Sequence, residues 1–78
     1  MRLLFQLNQT TRVNVAVYSV TGEKVRQLLN TVLPERDAVY SVYWYGKDDL
    51  GRPVPNGVYF LRAIIGDRQT AWKVLVLR

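Results

Sequence analysis

The sequence predicts an all-β domain, a small antiparallel sandwich of roughly six or seven short strands, with a barrel as the second choice. Three observations lead to this prediction. Apolar side chains recur at every second position, β-branched and aromatic residues dominate those stretches, and turn-forming residues interrupt them. A chain of 78 residues suits one hydrophobic core, so we expect a single domain over residues 1–78.

Three alternating stretches lie in the first part of the chain. They cover residues 3–7, 12–19 and 38–45. The apolar side of the second stretch includes Val15 and Val17, and that of the third includes Val42 and Trp44. Side chains of one parity in a strand share one face of the sheet, so we expect these four residues in the core. A strand-borne tryptophan on an apolar face is typical of a core filler.

Two further alternating stretches close the chain. They cover residues 57–65 and 68–78. The first places Tyr59 and Leu61 on its apolar side, and the second places Val74 and Val76 there. Gly66 stands between the two stretches and suits a tight hairpin turn, because glycine tolerates the positive φ that such turns require. We therefore expect a hairpin here, with these four residues in the core.

The segment 24–32 is ambiguous. Its apolar residues fit a helical stripe at i, i+3, i+4 and i+7: Val25, Leu28, Leu29 and Val32. Residues 24–30 also alternate, Gly22 suits a hairpin turn just before them, and Pro34 ends the segment soon after. Periodicity alone does not decide between helix and strand, but the neighbouring strands favour a strand.

Turn-forming residues are concentrated between positions 46 and 57, where Gly, Pro, Asn and Asp predominate. The residues that we assign to turns along the chain are Gly22, Gly51, Pro55, Asn56, Gly57 and Gly66. Asp48 and Asp49 also lie in this loop, where aspartate commonly caps turns through the backbone. A Ca²⁺ site at these two carboxylates stays open, but two carboxylates without EF-hand spacing favour turn capping.

The composition offers little for catalysis. The chain has no histidine and no cysteine, which removes thiol nucleophiles, disulfides and the usual zinc and haem ligands. No serine or threonine therefore has an imidazole base to activate it. We expect no enzyme activity, no cofactor, no metal site and no small-molecule substrate.

The net charge is +5 and the sequence pI is near 10. The eleven Lys and Arg residues are spread along the chain, whereas a nucleic-acid binder usually gathers them on one stripe or loop. Nucleic acid is therefore an unfavoured partner. The alternative that we keep is a small basic β-barrel that binds single-stranded nucleic acid by stacking bases on Tyr43, Tyr45 and Phe60. No stretch is apolar and long enough to insert into a membrane or to serve as an export signal.

Several large apolar residues lie opposite the predicted core faces. A contiguous patch of this kind is typical of a protein-interaction surface. The outward residues that could form it are Leu4, Tyr18, Tyr43, Tyr45, Phe60, Ile64, Leu75 and Leu77. The interaction candidates among them are Tyr43, Phe60, Ile64, Leu75 and Leu77. Trp72 lies on the core side of its strand, but its polar neighbours Thr70 and Lys73 leave open whether it is buried or exposed.

Five segments, in this order and spacing, resemble the immunoglobulin-like domain of flagellar hook-capping proteins. They are similar also to the related C-terminal sorting-type domains of many secreted bacterial proteins. The run Trp-x-Gly-x-Asp-x-x-Gly, followed by Gly-Val-Tyr-Phe, is the most specific part. The segments are Val15–Tyr18, Gly22–Val25 with Leu28–Leu29, Val42–Gly51, Val54–Arg62 and Lys73–Arg78.

The resemblance implies an Ig-like or fibronectin type III-like β-sandwich that forms the C-terminal module of a longer, extracytoplasmic chain. It also implies a non-catalytic role in protein docking, anchoring, assembly or secretion. The implied partners are domains of the parent chain, secretion or assembly machinery, or a second copy. Two positions depart from the family pattern, which often has Asp where this chain has Ser19 and Tyr45, and either change could weaken a turn hydrogen bond.

Overall fold

Alternating apolar and β-branched residues form six β-strands over a chain described from residue 1 to residue 78 in a computed structural model. The strands are β1 (Arg2–Phe5), β2 (Thr11–Ser19), β3 (Lys24–Leu33), β4 (Tyr40–Tyr43), β5 (Gly57–Ile65) and β6 (Arg68–Val76). The structure contains no helix, and hence none with the length and apolar character needed to cross a bilayer. The all-β prediction is confirmed.

The six strands form two antiparallel sheets. One sheet contains β1 and β4, and the other has the order β3-β2-β5-β6. β2 and β5 are the central strands of the larger sheet, which makes β3 and β6 its edges. The strand count agrees with the prediction, although the fourth strand is shorter than the alternating stretch 38–45 in which it lies.

Both sheets contribute to one core. Val13, Val15 and Val17 of the central strand β2 are fully buried, because side chains from the sheet's other strands and from the smaller sheet pack around them. Of the residues assigned to the core, five are buried: Val15, Val17, Trp44, Tyr59 and Leu61. The other three are half-buried and pack against the buried ones: Val42, Val74 and Val76.

The ambiguous segment 24–32 belongs to a strand, β3, and two irregularities in its pairing with β2 explain the helix-like spacing. At each of them β3 has one residue more than β2, Leu28 at the first and Val25 at the second. A bulge of this kind changes the spacing between core-facing residues from two to three. Val25, Leu28 and Leu29 all pack against the core, whereas Val32 is 52% exposed and Leu33 packs there instead.

The predicted hairpin forms between β5 and β6. Gly66 has φ +62 and the next residue, Asp67, keeps a negative φ, which matches the two-residue II′ turn with glycine first. The loop before β5 contains several of the residues that we assign to turns. Gly46 and Gly51 have positive φ in this loop, and Gly57 begins β5 with φ +151, whereas Asn56 does not adopt a left-handed conformation and its side chain accepts a hydrogen bond from the backbone amide of Arg78.

Candidate functional site

Apolar side chains form a patch on the outer face of the four-stranded sheet, which we call the outer patch. It comprises Tyr18, Val58, Phe60 and Leu75. Val58 pairs directly with Leu75, and Phe60 pairs directly with Tyr18, so each pair lies on one face of the sheet. Phe60 is 38% exposed and Leu75 is 61% exposed. The alternation that buries Tyr59 and Leu61 therefore turns Phe60 outward.

Two cations border the outer patch. The Arg62 guanidinium lies 4.6 Å from the centre of the Tyr18 ring, and one of its nitrogens donates a 2.7 Å hydrogen bond to the Tyr18 hydroxyl. Lys73 pairs directly with Phe60 across the β5–β6 ladder. The outer patch is therefore a half-exposed apolar surface with two cations at its border. Arg62 and Tyr18 are 44 positions apart in the chain, so only the strand register reveals their contact.

Tyr43 lies in a different place from the rest of the predicted interaction surface. It belongs to β4 in the two-stranded sheet, is 46% exposed and stacks on Tyr45, with ring centres 6.0 Å apart. The structure therefore does not join Tyr43 to Phe60 and Leu75 in the single contiguous patch that we expected from the sequence. Strand alternation reports that a side chain points away from the core, but it does not report which of two sheets carries it.

The two remaining predicted interaction residues lie at the margins of the outer patch. Ile64 is on the same face of β5 but is half-buried and separated from Phe60 by Arg62. Leu77 follows the last residue of β6 and is 74% exposed. The structure therefore brings together Phe60 and Leu75 of the five candidates. Tyr18, which the sequence also places on the outward side, and Val58, which it does not single out, complete the patch.

The inner side of β6 is only partly covered. A cleft of about 830 Å³ opens there between the loop 6–9 and the β5–β6 hairpin. Trp72 lines this cleft and remains 38% exposed, although its strand parity directs it to the core side. The two tryptophans therefore differ, since Trp44 is 3% exposed and its indole nitrogen donates to the carbonyl oxygen of Lys47.

The two loop carboxylates bind the protein's own backbone. One oxygen of Asp48 accepts hydrogen bonds of 2.9 Å from the amides of Leu50 and Arg52, and the other lies 3.2 Å from the Arg52 side chain. The backbone amide of Arg52, more than any other contact, holds the pKa of Asp48 below its ordinary value, with help from the Leu50 amide and the Arg52 guanidinium. Asp49 accepts from the amide of Gln27.

The Asp48 contacts correspond to turn capping within the loop, whereas the Asp49 contact joins the loop to β3. No group of three or more His, Cys, Asp or Glu residues is placed to hold a metal ion. At one of the two positions that depart from the family pattern, the Ser19 side chain accepts a hydrogen bond from the Glu23 amide. The turn between β2 and β3 thus keeps a side-chain cap although serine stands at this position.

Comparisons with family models, with curated proteins and with solved structures found no match to this chain.

Proposed function

We propose that this chain is a non-catalytic, Ig-like β-sandwich module that docks a larger extracytoplasmic protein onto other proteins. Its partners would be domains of the parent chain, secretion or assembly machinery, or a second copy. The observation that carries the docking role is the outer patch. Its centre, Phe60 and Leu75, is exposed although neighbouring residues of the same strands are buried or half-buried against the core.

Two features support the Ig-like part of the proposal. Trp44 lies in the core against Tyr59, with the rings in an edge-on arrangement 5.5 Å apart. The Tyr59 hydroxyl donates to the carbonyl oxygen of Pro55, four residues upstream and just before β5. Immunoglobulin-like sandwiches often contain a core tryptophan and a tyrosine whose hydroxyl returns to the preceding backbone in this way.

The outer patch favours a protein partner over single-stranded nucleic acid. Base stacking would need Tyr43, Tyr45 and Phe60 on one sheet face, and Phe60 lies in the four-stranded sheet, away from the other two. A titration with labelled oligonucleotide at low and at moderate salt tests this choice. We expect no binding, whereas micromolar binding that weakens with added salt would favour the nucleic-acid alternative.

The docking proposal is tested with Phe60→Ser and Leu75→Ser together in the full protein. Both side chains point away from the core and are exposed by 38% and 61%, so we expect the free energy of unfolding to fall by about 1–2 kcal/mol and the double variant to stay folded. Photo-crosslinking from a reactive residue at position 58, in the cells that make the protein, should give adducts with a partner protein. The double substitution should abolish those adducts.

Val32→Ser is the matched control, because Val32 is also an exposed aliphatic residue on a strand but lies on β3, outside the outer patch. It should leave the adducts from position 58 unchanged. If the double variant unfolds, Phe60 and Leu75 belong to the core and our assignment of faces is wrong. If the adducts persist in a folded double variant, the outer patch is not the docking surface.

A further inference from the structure

The two edges of the four-stranded sheet are protected very differently. The β3 edge has two bulges, and the loop 46–52 covers part of it. Asp49 donates its amide to the carbonyl oxygen of Val25 and accepts from the amide of Gln27, while Arg26 donates to the carbonyl oxygen of Asp48. Bulges and covering loops are ways in which proteins prevent another strand from adding to an edge.

The β6 edge has none of these protections. Its nine residues pair with β5 in an unbroken register from Arg68 to Val76, without a bulge or a proline. No strand lies on its other side, and no backbone hydrogen bond outside the β5–β6 ladder involves it. A long, regular and unpaired edge is the structure to which an extended peptide adds as a further strand.

The hairpin turn determines which amides of β6 are free. In a two-residue turn the flanking residues, Ile65 and Arg68, form a hydrogen-bonded pair. Hydrogen-bonded and non-hydrogen-bonded pairs then alternate along an antiparallel ladder. The residues of the non-hydrogen-bonded pairs direct their amides and carbonyls away from β5. On β6 these residues are Gln69, Ala71, Lys73 and Leu75.

We propose that this free edge accepts an extended, acidic segment of a partner protein as a fifth strand of the sheet. The inference rests on the proposed docking function and names the mode of binding. Charge selects the partner, since the only charged residues of β6 are both positive, Lys73 on the outer face and Arg68 on the inner face, and the chain as a whole carries +5. Opposite charges on directly paired strand residues stabilise the pairing.

The side chains of β6 also define the pattern of the added strand. On the outer face, an acidic residue would lie beside Lys73, close to the outer patch. On the inner face, an apolar residue would lie beside Trp72, which is 38% exposed at the cleft. A strand that alternates acidic and apolar residues therefore matches Lys73 on the outer face and Trp72 on the inner face, while Arg68, at the hairpin end of the inner face, takes no part in this match. A second copy of the chain suits this edge less well, because pairing would bring together two strands whose charges are all positive.

The experiment uses a nine-residue peptide in which glutamate alternates with valine, and a second peptide with lysine in place of glutamate. The protein is titrated with each while backbone amide exchange is followed by NMR. We expect saturable binding of the glutamate peptide at micromolar concentrations and at least tenfold weaker binding of the lysine peptide. Exchange should slow at Gln69, Ala71 and Lys73 and stay unchanged at Thr70 and Trp72.

Two variants test the edge itself. Ala71→Pro removes an amide that points away from β5, so it should weaken glutamate-peptide binding at least tenfold while the fold persists. Ala71→Ser keeps the amide and should bind as the original chain does. Lys73→Glu also keeps the amide and should reverse the preference between the two peptides, which tests the proposal even if the proline variant fails to fold.

Equal binding of both peptides, or no binding of either, would overturn the proposal. It would also be overturned if the same amides became protected as protein concentration rises without peptide, since the occupant would then be a second copy. The docking function is judged separately by the adducts from position 58. If Phe60→Ser with Leu75→Ser abolishes them while Ala71→Pro does not, docking stands and strand addition is wrong.

Discussion

The Tyr59 hydroxyl donates a 2.7 Å hydrogen bond to the carbonyl oxygen of Pro55 and so fixes the loop before β5 to the start of that strand. The Tyr59 ring is 8% exposed and contacts the buried indole of Trp44. The bond therefore lies at the margin of the core, where a carbonyl that loses its donor is poorly compensated by water. It links the most irregular stretch of the chain to the centre of the larger sheet.

We predict that Tyr59→Phe lowers the free energy of unfolding by about 1–2 kcal/mol, because the ring stays in place and the Pro55 carbonyl loses its partner. Urea denaturation measures the change. Tyr40→Phe is the matched control, since the Tyr40 hydroxyl donates to the carbonyl oxygen of Pro34 at an exposed site. A loss at Tyr40 as large as the loss at Tyr59 would contradict the structural role that we assign to the partly buried bond between Tyr59 and Pro55.

The two tryptophans should differ in their contribution to stability. Trp44→Ala removes a buried ring and its hydrogen bond to Lys47, and it should cost about 3–5 kcal/mol. Trp72→Ala removes a ring that is 38% exposed beside the cleft, and it should cost roughly half as much or less. Thermal unfolding of both variants measures the difference, and equal losses would mean that Trp72 is as much a core residue as Trp44.

Strand identity and the core-facing side of most strands could be predicted from the sequence, because period-two alternation depends only on neighbouring residues. The segment 24–32 was ambiguous for a physical reason. A bulge inserts a residue into the strand, so the spacing of Val25 and Leu28 matched a helix as well as a strand. Alternation does not show where bulges lie, since their position depends on the register with the partner strand.

The candidate site could be predicted only in part, for a related reason. Phe60 and Leu75 were identified because local alternation turns them outward. Their contact with Tyr18, and the separation of Tyr43 from them, depend on which strands pair. The free edge of β6 likewise follows from the sheet order, and its outward amides follow from the turn at Gly66. Strand pairing joins residues far apart in the chain, and the local alternation of apolar and polar residues does not show which strands pair.

Acid should weaken the loop 46–52 through Asp48. Its pKa is lowered in the folded protein, so below the ordinary aspartate value of about 3.9 the unfolded chain binds more protons than the folded one. The contribution of Asp48 to stability is therefore complete above that pH and is lost as the pH falls through the folded-state pKa. Asp48→Asn keeps an oxygen for the Leu50 and Arg52 amides but removes the charge.

We predict that stability falls less between about pH 6 and about pH 2.5 in Asp48→Asn than in the original chain, as measured by urea midpoints at each pH. Asp37→Asn is the control, because the Asp37 carboxylate makes no hydrogen bond or ion pair in the structure, and the effect of Asp48→Asn should exceed that of Asp37→Asn. Identical pH dependences for Asp48→Asn and the original chain would show that the loop contacts of Asp48 do not favour its charged form.

Asp49 should keep other strands from pairing with the β3 edge. Its carboxylate accepts a 3.0 Å hydrogen bond from the Gln27 amide at the bulged part of the strand. Asp49→Ala should lower the free energy of unfolding by about 1 kcal/mol and speed exchange of the Gln27 amide severalfold. Asp49→Asn, which keeps an acceptor oxygen, should preserve most of the protection. The alanine variant should also bind the glutamate peptide at β6 as the original chain does. If the glutamate peptide slows exchange at Gln27 in Asp49→Ala, the uncovered β3 edge also accepts a strand. If exchange at Gln27 is the same in Asp49→Ala as in the original chain, the Asp49 carboxylate does not protect the β3 edge.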